Sequence, residues 1–206
     1  MRGRDKFKKY KKIIDGLTYI NSKFPKKLNK VLFNAIRPLD GKIVMLTRYI
    51  LLKNLAKQCG DNVSIHSNVY LNNVENASIG NNVSIHPMCY IECLGELSIS
   101  DNVSIAHGVT IMTTEHKHSD VESDINSQGV YLDSVKVQEN VWIGAKATIL
   151  SGVTISSGSI IAAGAVVNNF IQPNVIVGGV PAKILKFRTE NYASGKVDKE
   201  LVHSHI

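Results

Sequence analysis

Residues 137–167 read VQENVWIGAKATILSGVTISSGSIIAAGAVV, and within them Val137, Ile143, Ile149, Ile155, Ile161 and Val167 recur every six residues without a break. Six is a multiple of the strand period of two but not of the helical 3.6. These side chains therefore share one face of an extended chain and would scatter around a helix. Two positions before several of them stands a second small apolar residue, as at Val141, Ala147, Val153 and Ala165. Between the apolar positions lie Ser151-Gly152, Ser157-Gly158 and Ala163-Gly164, residues that tolerate turns and positive φ. Each six-residue unit is a short strand followed by a corner.

Toward the N-terminus the pattern continues through Ile65, Leu71, Ile79, Ile85, Ile91, Ile99, Ile105 and Ile111 at spacings of six or eight. Val63, Val69, Val83, Val103 and Val109 precede these positions by two, and Gly80-Asn81-Asn82 and Ser100-Asp101-Asn102 supply corners. Three units close a triangular coil, and stacked coils bury the Ile and Val ladders while backbone hydrogen bonds run from coil to coil. The prediction is a mainly β chain with a parallel β-helix over residues 58–181, a basic helical segment over 1–57 and a C-terminal tail over 182–206. The general preference of parallel crossovers favours a right-handed coil.

In the N-terminal segment Phe7, Tyr10, Ile14, Leu17 and Ile20 fall at three- and four-residue spacings, which predicts an amphipathic helix with a lysine-rich outer face. Pro25 and Pro38 interrupt that pattern, and Ile43 to Lys57 reads as a further helix running into the first coil. These helices are expected to cap the open end of the coil stack. They also hold the charge. Met1 to Lys57 contains 16 Lys plus Arg against 3 Asp, whereas the remainder contains 8 against 14, within a net charge of +7. Such a block reads either as a contact for an anionic membrane or a polyanionic polysaccharide, or as a solvated helix face; composition leaves both open. No nucleic-acid partner is expected.

With 44% hydrophobic and 20% charged residues, a chain disordered throughout is excluded. Cys59, Cys89 and Cys93 are too few and too irregular for a disulfide framework or a zinc site. The charged run Lys6 to Lys12 leaves no room for a signal-peptide core, and the apolar run Ile43 to Ala56 is broken by Arg48 and Lys53 and too short for a bilayer. A cytoplasmic protein, peripheral to the inner face of the membrane, is the expectation.

The segments Asn81-x-Val83-Ser84-Ile85, Val141-Trp-Ile-Gly144, Ser151-Gly-Val-Thr-Ile155, Ala162-Ala-Gly-Ala-Val-Val167 and Val177-Gly-Gly-Val-Pro-Ala-Lys183 together resemble the hexapeptide-repeat acyltransferases, over about Cys59 to Arg188. The resemblance implies a left-handed coil, acetyl-CoA as the donor substrate and a homotrimer.

The ladder breaks once, between Ile111 and Val137, and a regular solenoid has no structural reason to expel a loop at about 112–135. Met112-Thr113-Thr114-Glu115-His116 is similar to the stretch at which maltose, galactoside and nodulation acetyltransferases carry a catalytic histidine, which assigns that role to His116. His116-Lys-His118-Ser-Asp120, followed by Gln128-Gly129, resembles most the capsule and exopolysaccharide O-acetyltransferases. The expected reaction is therefore acetyl transfer to a sugar hydroxyl. An un-ionised hydroxyl needs a base that takes its proton as the bond to the acetyl carbon forms, and neutral imidazole has the right pKa. Glu115 and Asp120 both qualify to orient that ring, without a ranking between them.

By the same resemblance the amide of Ala145 stabilises the oxyanion, and coenzyme A lies against Gly144, Ala145, Ala163 and Gly164. Its phosphates fall to Lys183 and Arg188, with Lys146 and Lys186 as substitutes. His86, Asp120, Gln128 and Trp142 are candidate acceptor contacts. His66 and His86 each follow a ladder isoleucine one coil apart and are expected to stack on the outer face. No nucleophilic Ser or Cys motif is present, so direct transfer is expected. A streptogramin-type antibiotic acetyltransferase or a sugar-nucleotide acetyltransferase is the alternative. A γ-type carbonic anhydrase would need histidines such as His86, His107 and His116, but their spacings do not resemble that family's. No metal is expected.

Overall fold

The computed structural model describes residues 3–188. From Gln58 the chain winds into coils whose short strands stack as three parallel faces. The first face holds Gln58–Cys59, Ala77–Ile79, Leu97–Ile99, Val135–Val137 and Thr154–Ile155. The second holds Ser64–Ile65, Ser84–Ile85, Ser104–Ile105, Trp142–Ile143, Ile160–Ile161 and Val175–Gly178. Tyr70–Asn72, Tyr90–Glu92, Thr110–Ile111, Thr148–Ile149 and Val166–Val167 make the third.

Register keeps like beside like: Ile65 pairs with Ile85, Ile85 with Ile105, Ile105 with Ile143 and Ile143 with Ile161. Each of the ladder residues predicted from the repeat is buried. At about 1.5–3 kcal/mol for each fully buried aliphatic side chain, this column is the main stabilising feature of the prism. At the turn from first to second face Asn62, Asn82, Asn102 and Asn140 have φ between 55° and 59°. Asparagine accepts that left-handed conformation better than other side chains do. It also bonds along the axis here, Asn62 Nδ2 to Asn82 Oδ1 at 3.0 Å and Asn82 Nδ2 to Asn102 Oδ1 at 3.1 Å.

Three helices precede the coils: α1 (Gly3–Asn21), α2 (Lys26–Ala35) and α3 (Lys42–Leu55). Pro25 directly precedes α2, where its missing N–H has no intrahelical acceptor to lose. α3 buries Tyr49, Leu51, Leu52 and Leu55 together with Arg48. The Arg48 guanidinium donates to the carbonyls of Ile65 (3.1 Å), Ile36 (2.9 Å), Arg37 (3.2 Å) and Leu39. Carbonyls past the end of α2 have no intrahelical donor, so this one side chain fastens α2 and α3 to the first coil.

Two expectations change. Of the stripe predicted on α1, Phe7 and Ile14 pack inward, Phe7 meeting the Tyr49 ring edge-on at 5.6 Å, whereas Tyr10, Leu17 and Ile20 are exposed. After Pro181 the chain leaves the six-residue repeat, but 183–187 is a strand instead of a loose tail: Lys183–Phe187 folds back antiparallel to Val175–Gly178. The outer edge of Val175–Gly178 presents unpaired backbone groups, and the following strand satisfies them. The remainder of the expected tail, 189–206, lies outside the described residues.

Candidate active site

Where the third-face strand Thr110–Ile111 should turn into the first face, the chain departs as a β-hairpin and returns at Val135. Thr114–His116 pairs antiparallel with Val130–Leu132, and His116 stands opposite Val130. The neck is closed by Asp133 N–H donating to the Thr113 carbonyl at 3.0 Å. Farther out, Gln128 braces the loop. Its Nε2 donates to the carbonyls of Asp120 (2.8 Å) and Ser123 (2.9 Å), and its Oε1 accepts from Asp120 N–H at 3.2 Å. The Asp120 carboxylate accepts from the Ser123 hydroxyl at 2.6 Å and from Glu122 N–H at 3.0 Å, bonds that hold it below the usual carboxylate range. Asp120 and Gln128 thus have their polar groups engaged in the loop's own fold.

The root of the hairpin rests on a residue that sequence reasoning missed. Glu92, buried at the third-face corner one coil below, accepts from Thr113 N–H at 3.0 Å, from the Thr113 hydroxyl at 2.8 Å and from Leu94 N–H. Gly95 N–H in turn donates to Thr113 Oγ1 at 2.9 Å. The available signal was a carboxylate directly after ladder residue Ile91, in the coil beneath the interruption.

His116 itself is exposed, with its backbone held by the strand pairing. His118 Nδ1 lies 3.0 Å from its carbonyl oxygen. Neither carboxylate considered as its orienting partner reaches its ring: Glu115 accepts from the Ser151 hydroxyl at 3.4 Å, and Asp120 is turned into the loop. Among the described residues the imidazole of His116 has no hydrogen-bond partner.

A second set of candidates gathers at the corner between the second and third faces. His66 and His86 stack there, ring centroids 4.8 Å apart at 16°, as their one-coil spacing predicts. Burial, and then the neighbouring His86, push the His66 pKa down. Higher in the same column Gly144 is required by close approach, because a Cβ there would lie 2.6 Å from Ala163 N and 2.7 Å from Ile161 O. Gly144 N–H donates to Ile161 O at 2.8 Å, Lys146 N–H to His107 O at 3.0 Å and Gly164 N–H to Ala145 O at 2.8 Å. Among the described residues the amides of Ala145 and Ala163 have no acceptor, so each is available to an incoming oxygen.

The fold therefore gathers His86, Gly144, Ala145, Ala163 and Gly164 on one edge of the prism and sets His116 on another. The third face separates them, about 15 Å at 3.3 Å per extended residue. Trp142 is on the second face, half-exposed, and with Asn102, Asn140, Ile160 and Arg188 lines a groove of about 420 Å³. The Arg188 guanidinium donates to the Gly158 carbonyl, while Lys183 is exposed opposite Gly178. Burial pushes the Cys59 and Cys93 thiols up to about 12, and Cys89 lies buried against the Ala106 carbonyl at 3.1 Å. Nucleophilic thiolates are disfavoured at all three positions. Among the described residues His86, His107 and His116 form no group able to hold a metal ion together.

Residues 134–169 match the family model described as bacterial transferase hexapeptide (six repeats). Over 140 residues the chain is 34% identical to the galactoside O-acetyltransferase of Escherichia coli (strain K12), an alignment covering 68% of each chain. Among solved structures it resembles a galactoside acetyltransferase in complex with coenzyme A, with a TM-score of 0.74 and 27% identity over 84% of this chain and 86% of that one. A maltose O-acetyltransferase from Clostridium difficile 630 gives a TM-score of 0.70 and 28% identity, over 80% and 87% of the two chains. The coil is left-handed, which corrects the hand favoured by the crossover rule. That rule rests on strand twist, and strands of two or three residues carry little of it. Repeat, coil and relatives together establish that the chain belongs to the hexapeptide-repeat acetyltransferases.

Proposed function

We propose that this acetyltransferase moves the acetyl group of acetyl-CoA to a hydroxyl of a saccharide, in the biosynthesis of a capsule or exopolysaccharide in the cytoplasm, with His116 as general base. The observation that carries the reading is the hairpin: a single interruption of a regular coil, rooted on buried Glu92 and presenting an exposed imidazole. His116 takes the hydroxyl proton while the sugar oxygen attacks the thioester carbon. The Ala145 amide stabilises the resulting oxyanion, and collapse expels the coenzyme thiolate, which receives the proton back from the imidazolium.

Such a reaction needs His116 and Ala145 side by side, and one copy holds them on two margins of the third face. A homotrimer with that face toward its axis sets the His116 of one copy beside the Ala145 edge of the next, and a threefold arrangement closes on itself. Coenzyme A lies in this crevice along Gly144, Ala145, Ala163 and Gly164, whose small side chains admit the pantetheine. Lys183, at the end of its strand opposite Gly178, serves its phosphates, whereas Arg188 is held by the Gly158 carbonyl at the far margin of the second face. His86, two coils below Gly144 on the same edge, meets the acceptor sugar, while Asp120 and Gln128 hold the shape of the loop that carries His116 and Trp142 lies on the adjoining second face.

The test is release of free thiol from acetyl-CoA in the presence of sugars, sugar nucleotides, lipid-linked saccharides, capsule repeat units and streptogramins. Release is expected only with saccharides bearing a free hydroxyl, with an alkali-labile ester in the product. Acetylation of amines alone, or of the antibiotic alone, overturns the acceptor assignment.

A further inference from the structure

We propose that the N-terminal helical layer is a docking surface for an anionic lipid bilayer. A helix packed on a soluble core needs one apolar stripe. α1 has two: Phe7 and Ile14 face inward, while Tyr10, Ile13, Leu17 and Ile20, spaced by three, four and three, form a separate stripe that is 43–64% exposed residue by residue. α2 buries Asn29 and Phe33 yet exposes Leu28, Val31 and Leu32, and Phe24 is exposed just before it. Between α1, α3 and the first two coils lies a groove of about 910 Å³, walled on the helical side by Tyr10, Ile13, Leu17, Met45 and Leu46.

Lysines border these apolar surfaces. Lys8, Lys9, Lys12, Lys23, Lys26 and Lys27 are exposed on or beside the same two helices. The segment to Lys57 carries 16 Lys plus Arg against 3 Asp, and the chain beyond it is acidic by six charges. The molecule therefore has a basic, apolar base and an acidic prism. Charge complementarity selects an anionic partner. A soluble polyanion would pair the lysines and leave Ile13, Val31 and Leu32 in water. A second copy would set like charges face to face. An anionic bilayer takes up both, lysines at the headgroups and apolar side chains below them, with the groove open to an acyl chain. No helix among the described residues is long and apolar enough to cross a membrane, so the contact is peripheral. The hairpin leaves the third coil, about 10 Å along the axis from the first at 4.8 Å per coil. That height suits a saccharide attached to a membrane lipid, a consequence that rests on the acceptor class proposed above.

The test is co-sedimentation of the full-length chain with phosphatidylcholine vesicles, with and without phosphatidylglycerol. Binding is expected only with phosphatidylglycerol and is expected to weaken with salt. Lys9→Glu with Lys12→Glu should lower partitioning at least about 25-fold, from roughly fivefold per lysine. Ile13→Ser with Val31→Ser should lower it about tenfold or more at low salt, from the lost burial of two aliphatic side chains. In both variants acetyl transfer to a soluble sugar, helix content and assembled mass should stay unchanged. Absence of binding to phosphatidylglycerol vesicles overturns the proposal. So does binding that the charge pair abolishes and the apolar pair leaves intact, which marks a polyanion site. A changed assembled mass in the Ile13/Val31 variant overturns it in favour of a contact between copies.

Discussion

Replacing Glu92 by Gln asks whether the hairpin root is held by this buried carboxylate. The carboxylate accepts from Thr113 N–H at 3.0 Å, from the Thr113 hydroxyl at 2.8 Å and from Leu94 N–H. Glutamine keeps one acceptor oxygen and turns an NH₂ group toward a donor. One hydrogen bond to a charged group is lost, about 1.5–3 kcal/mol, and a buried N–H is left unpaired, about 1–3 kcal/mol more. Each coil touches only its neighbours, so the loss concentrates at the hairpin neck. We expect Tm to fall by roughly 2–4 °C per kcal/mol lost. Turnover should fall on the order of 10²-fold, the usual consequence of misplacing a catalytic group by about 1 Å, with KM for acetyl-CoA little changed. Thr113→Val should give part of the effect, because it also leaves Gly95 N–H without its 2.9 Å acceptor. A double-mutant cycle should return a coupling of about 0.5–3 kcal/mol. The measurements are thermal unfolding and steady-state kinetics at varied acceptor and donor. Wild-type kcat and Tm in Glu92→Gln would refute the clamp.

His116→Ala should lower kcat by about 10²- to 10⁴-fold and leave Tm unchanged, as loss of a general base requires; retained turnover would remove the mechanism. Gly144→Ala should destabilise by about 1–3 kcal/mol, since its Cβ would sit 2.6 Å from Ala163 N and 2.7 Å from Ile161 O, and should weaken coenzyme A binding measured by calorimetry. The His66 pKa is lowered in the folded chain, first by burial and then by His86. The unfolded chain therefore takes up this proton first. The stability it provides is complete above the unfolded value near 6.5 and declines as pH falls through that value toward the folded one. His66→Gln should flatten urea-unfolding stability over that window, and an unchanged pH slope would discard the assignment.

The coil was legible in the sequence because its defining contacts repeat: Ile143 and Ile161 meet for the same reason as Ile85 and Ile105. The His66–His86 stack followed from the same periodicity. What periodicity does not encode is contact across unrelated segments. The split of the α1 stripe depends on where α3 lies, and the grip of Glu92 on Thr113 spans two corners of different coils. Val130–Leu132 is exposed on both sides, so no alternation announced its pairing with Thr114–His116. Asp120 and Gln128 resembled acceptor contacts by position, yet their hydrogen bonds close the loop on itself. Lys183–Phe187 showed no repeat and became a strand through the open edge beside it.

The excursion from Met112 to Ser134 leaves the strand registers around it undisturbed: Ser104 still faces Trp142, and Thr110 still faces Thr148. A corner can therefore change length without altering the faces it joins. The hairpin behaves as an exchangeable module on a fixed stem, and transplanting it with Glu92 and Gly95 onto a sister coil is a rational route to re-engineered acceptor choice.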